Sequence, residues 1–160
     1  MNNKDLDAYV RSWVNKLNDT EICPYAKSVY DSSKLKLIEL EPPEDVYEFW
    51  RAVSEQAELY DGSIEVVMVA MPTNKEIITI DQMVGATDSL NGLYNYKDKD
   101  LWFLDAFFDH WTIMLLQKIS ALDDASAIFQ KKDYYKKCHP YRYKKYIQGR
   151  RNLRNRLTKT

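Results

Sequence analysis

The side chains best suited to chemistry in this chain lie at its C-terminal end. From Lys131 it reads KKDYYKKCHPYRYKKYIQGRRNLRNRLTKT, with Tyr134, Tyr135, Tyr141, Tyr143 and Tyr146 set among the bases. Cations of this kind neutralise phosphates and release counterions, while tyrosine rings stack on unpaired bases. Lys136, Lys137, Arg142, Tyr143, Lys144, Lys145 and Tyr146 form one candidate nucleic-acid-binding group. Arg150, Arg151, Arg154 and Arg156 form a second, and the planar guanidinium fork suits phosphate oxygens. A competing reading keeps the segment at home. Tyr143, Tyr146, Ile147, Leu153 and Leu157 approximate a helical stripe, which would dock the bases on the protein's own body or on an acidic partner.

The rest of the chain offers less. Cys23, in Cys23-Pro24-Tyr25, is a weak catalytic candidate, because a thiolate needs a helix N-terminus or a nearby cation to lower its pKa. Asp105, Asp109 and His110 would supply metal ligands if a helix over 101–109 put residues four apart on one face. Cys138-His139 sits among lysines, but with Cys23 and His110 as the further soft ligands a zinc site would need all four to converge. The pairs Asp123-Asp124 and Glu44-Asp45 fall where a helix N-terminus favours negative charge. There is no G-x-S-x-G elbow, and four dispersed glycines make no phosphate loop. No cofactor and no metal are expected, and nothing in the sequence argues for catalysis.

The segment Ile22-Cys23-Pro24-Tyr25-Ala26, after a helix carrying Trp13 and before a strand over 34–40, resembles a small uncharacterised bacterial domain family. That family has an N-terminal Trp-containing helix and an L-C-P-[FY]-A motif. A weaker likeness covers 111–129, where Met114 stands at the family's histidine before Leu-Leu. The resemblance implies a fold rather than an activity. Cys-Pro-Tyr also resembles the opening of a glutaredoxin active site, which implies thiol exchange. A glutaredoxin has a strand before the cysteine and a longer helix after it, whereas here a helix precedes Cys23. The expected role of Cys23 is that of a small buried hydrophobe in a Cys-Pro turn.

The elements that must position these groups belong to one domain. The chain has 160 residues, 45% hydrophobic and 13% aromatic, enough to fill a core and to exclude wholesale disorder. No apolar run approaches a membrane span, and the first residues lack a signal-peptide core, so no membrane partner and a reducing, cytoplasmic setting are expected. The net charge of −1 conceals a division. Residues 1–130 carry 11 Lys/Arg and 23 Asp/Glu, and residues 131–160 carry 12 Lys/Arg and the single acid Asp133. The domain reading is therefore an acidic α/β body over 1–130 with a basic extension over 131–160.

Apolar spacing predicts helices over 4–18, 44–59, 79–95 and 121–131, the last with Ser120 as N-cap. It predicts strands over 34–40, 64–70 and 112–118, with 64–70 central because it is apolar almost throughout. The aromatic run LWFLDAFFD at 101–109 is read as a short buried helix. The expected fold class is α/β, a sheet of at least three strands flanked by helices and followed by a basic C-terminal helix or arm.

Overall fold

The computed structural model describes residues 3–19, 23–42, 45–74, 76–97, 99–108, 110–131, 140 and 143–157. Among these, α1 (Asn3–Asp19) and α2 (Pro24–Asp31) lead into β1 (Leu35–Glu39). Next come α3 (Val46–Leu59), β2 (Val66–Pro72), α4 (Ile80–Tyr96) and the pair β3 (Leu101–Phe108) and β4 (Trp111–Lys118). The chain then enters α5 (Ile119–Lys131), and later a π-helical turn (Tyr143–Gln148) that runs into α6 (Gly149–Leu157).

The four strands form one mixed sheet in the order β1-β2-β4-β3. β1 and β2 are parallel, as two strands joined by a crossover helix must be, while β4 is antiparallel to both β2 and β3. Helices cover both faces. Val67, Val69 and Met71 of β2 meet Phe49, Val53 and Ala57 of α3 and Met83 and Tyr94 of α4. The alternate residues Val66, Met68 and Ala70 meet Leu6, Val10 and Val14 of α1, with Tyr25 and Val29 of α2 and Leu122 of α5. A strand buried on both sides favours apolar residues on both faces, which is why β2 reads as an unbroken apolar run and β4 as one from Ile113 to Leu116.

The segment 101–109 is a correction. It is not a helix: 101–108 form edge strand β3, registered against β4 with Phe103 opposite Leu116. Leu101 and Phe103 enter the core under α3 and α4, and Leu104 and Ala106 face the other side. The edge is covered by a side chain. Asn91 of α4 donates to the Phe103 carbonyl at 2.9 Å and accepts from its N–H at 2.8 Å, taking the place of a further strand at that residue.

One helix start also departs from expectation. Ser120 lies inside α5 rather than capping it, and Asp100 accepts its backbone N–H at 2.9 Å and its hydroxyl at 2.5 Å. Asp45, by contrast, caps α3 directly by accepting from the N–H groups of Tyr47 and Glu48. Its neighbour Glu44 lies outside the described residues.

At the end of α2, Ser33 has φ +57°, with its N–H on the Tyr30 carbonyl and the next N–H, of Lys34, on the Val29 carbonyl. This is a Schellman closure with serine where glycine is preferred. Ser33→Gly is therefore expected to stabilise the fold by about 1 kcal/mol, read as a higher urea midpoint at unchanged slope. A lower midpoint would show that the unfolded chain's gain in freedom outweighs the relief of the left-handed serine.

Between α3 and α4, the Glu58 carboxylate accepts from Lys97 at 2.6 Å and from the Tyr94 hydroxyl at 2.9 Å. The hydrogen bond from Lys97, then that from Tyr94, lowers its pKa to about 2. A carboxyl depressed in the folded state stabilises it fully above the unfolded value of 4.5 and progressively less as pH falls toward 2. Acid unfolding should thus show a component in that window that disappears in Glu58→Gln. An unaltered acid limb in the variant would mean the tether adds nothing.

Candidate functional site

The described part of the basic extension is docked, not free-standing. α6 reads GRRNLRNRL and turns Leu153 inward, where it is 2% exposed. Each of the three described arginines has a partner on α5. Arg150 donates to Asp123 from Nε at 2.5 Å and to Ser126 from Nη2 at 2.5 Å, and Arg150 and Asp123 are each only 4% exposed. Arg154 donates to Asp124 at 2.6 Å at the rim. Arg151 donates from Nη1 to Gln130 and, at 3.3 Å, to the Tyr143 hydroxyl, while its buried Nη2 has no hydrogen-bond partner among the described residues.

These contacts reassign Asp123 and Asp124. The two acids do not lie in the first turn of their helix, so the dipole does not account for them. They receive arginines from 27 and 30 residues away in the chain. Asp123 belongs to a sealed pair, in which both charges have left water and depend on each other, and Asp124 to an exposed one.

The other candidate binding residues divide as follows. Tyr143 and Ile147 on the π-helical turn are half-buried, and Lys144 is exposed. Lys136, Lys137 and Arg142 lie outside the described residues, as do Cys138, His139 and Asp109. The side chains of Lys145, Tyr146, Arg156 and Leu157 lie outside the description too.

Cys23 is the N-cap of α2, directly before Pro24 in the first turn, so a helix of eight residues follows the cysteine where a bare turn was expected. The amides of Ala26 and Tyr25 and the charge of Arg150 pull the thiol pKa down, but burial is the larger influence and the net shift is upward. The neutral thiol is thus favoured, the opposite of what thiol exchange requires. Beside it, the Tyr25 hydroxyl donates to Glu65 at 2.5 Å, and Lys34 donates to the same carboxylate. Burial and that hydrogen bond raise the Tyr25 pKa well above the usual phenol range. Each oxygen of the Glu65 carboxylate thus already accepts from a side chain of the protein.

The metal reading loses its geometric basis with the helix. Asp105 sits on strand β3 and His110 in the turn before β4, so no helix face joins Asp105 to a residue four positions on. Among the described residues no three His, Cys, Asp or Glu side chains gather around one point, and no helix is long and apolar enough to cross a membrane. A depression beside α3, lined by Asp45, Tyr47, Glu48, Trp50, Arg51 and Ser54, is shallow and open. The signals that the sequence held for the docked segment were its charge asymmetry and the stripe that includes Leu153, while its partners on α5 had none. Comparison with family models, with curated proteins and with solved structures finds no match for this chain.

Proposed function

We propose that this protein is a non-enzymatic interaction module whose basic C-terminal segment docks on its own acidic body. The burial of Arg150 between Asp123 and Ser126 carries the reading, since a solvated tail would keep that guanidinium in water. Leu153 and the Arg154–Asp124 pair support the same arrangement. Hydrogen exchange on the full chain tests it. Amides of α6 should exchange with protection comparable to those of α5, and exchange at free-peptide rates would overturn the docking.

A second reading keeps nucleic acid as the partner. It is favoured by the 12 Lys/Arg against one acid in residues 131–160, and by exposed Lys144 beside Tyr143 on the π-helical turn. Lys136, Lys137, Arg142, Lys145, Tyr146 and Arg156 would then contact phosphates and bases along with them. Binding of labelled single- and double-stranded DNA and RNA should weaken steeply with salt, and absence of binding at low salt would remove this reading.

A further inference from the structure

α6 is held unlike the other helices. α1 buries Leu6, Val10 and Val14 against the sheet, whereas the described contacts of α6 are Leu153 and a row of arginines reaching α5. Apolar burial is indifferent to anions in solution. A guanidinium held by a carboxylate is not, because a phosphate presents the same pair of acceptor oxygens to the same fork. The row is also graded. Arg154 and Asp124 remain 30% and 69% exposed, while Arg150 and Asp123 are sealed. An approaching polyanion would meet Arg154 first and could reach Arg150 only after α6 lifts from α5.

We infer that docking of α6 on α5 and engagement of a nucleic-acid phosphate chain by its arginines are mutually exclusive, with Asp123 and Asp124 acting as an internal competitor for phosphate. The inference rests on the nucleic-acid reading and adds a regulatory property to it. By linkage, whatever weakens docking tightens phosphate binding by the same factor, and phosphate binding loosens α6 equally. Lifting α6 would also expose Ser126 on α5, which is buried in the docked state and accepts from Arg150 there.

The experiment uses the full chain and an oligothymidylate, with Asp124→Asn as the variant because its carboxylate lies at the exposed end of the row. Glu55→Gln is the control: it removes the same charge from an exposed position on α3, which packs on the opposite face of the sheet. Loss of an exposed pair is worth up to about fivefold in an equilibrium, so Asp124→Asn should bind roughly two- to fivefold more tightly than wild type and Glu55→Gln less so. Addition of the oligonucleotide to wild type should also raise exchange at α6 amides. Binding with equal affinity in the two variants and unchanged α6 protection would overturn the competition while leaving nucleic acid as the partner. No binding by any form at low salt would overturn both.

Discussion

Replacing Arg150 by alanine is expected to cost about 3–5 kcal/mol, the usual consequence of removing one member of a buried ion pair. Asp123 is left 4% exposed and without its counterion. Ser126 also loses the donor that reached its hydroxyl. The protein has one escape, which is to release α6 so that water reaches Asp123. The loss of global stability is then capped at the docking free energy of α6, and the remainder appears as lost protection in that helix. Urea unfolding followed together with hydrogen exchange separates the two routes. The double replacement Arg150→Met with Asp123→Leu removes both charges at once and should fall within about 1 kcal/mol of wild type. A single variant that lost less than about 1 kcal/mol and kept α6 protected would show that the pair contributes little to holding the segment in place.

The second large effect concerns the strand that periodicity misassigned. Phe103→Ala should destabilise by about 3–5 kcal/mol, since the ring is fully buried on a sheet face closed by two helices. Its centroid lies 5.1 Å from that of Tyr94 in a tilted contact, and the space left cannot be filled from solvent. The backbone of the same residue is clasped by Asn91, which fixes β3 against α4 and limits how far the cavity can collapse. Phe103→Leu keeps most of the volume and should lose clearly less. A small loss in the alanine variant, comparable to that of an exposed position, would contradict the burial of this strand.

The reason that 101–108 misled sequence reading is physical. A half-exposed strand announces itself by alternation, but β3 meets apolar neighbours on both faces, so Leu101, Trp102, Phe103 and Leu104 follow one another without a polar break. β2 and β4 have the same two-sided burial, yet Val66, Val67, Val69, Thr112 and Ile113 supply the β-branched residues that favour a strand. β3 has none, and although its aromatic residues fit a strand, Leu101, Leu104 and Ala106 suit a helix at least as well. Its pairing with β4 across a short turn decided the matter.

What the sequence determined by itself was the material of the fold: an apolar stripe for α1, α3 and α4, and strands over 34–40, 64–70 and 112–118, each within two residues of its observed bounds. It also determined the division between an acidic body and a basic end. These are properties of neighbouring residues, carried by side-chain periods of 3.6 and 2 and by local charge. Tertiary structure alone decided where the charges go. Asp123 and Asp124 look like ordinary helix-start acids until α6 brings Arg150 and Arg154 to them, and Asn91 looks like a surface amide until β3 lies beside it. Such pairings join residues 12 to 30 positions apart, beyond the reach of any local period, and a charge acquires its meaning only from what lies within a few ångströms of it.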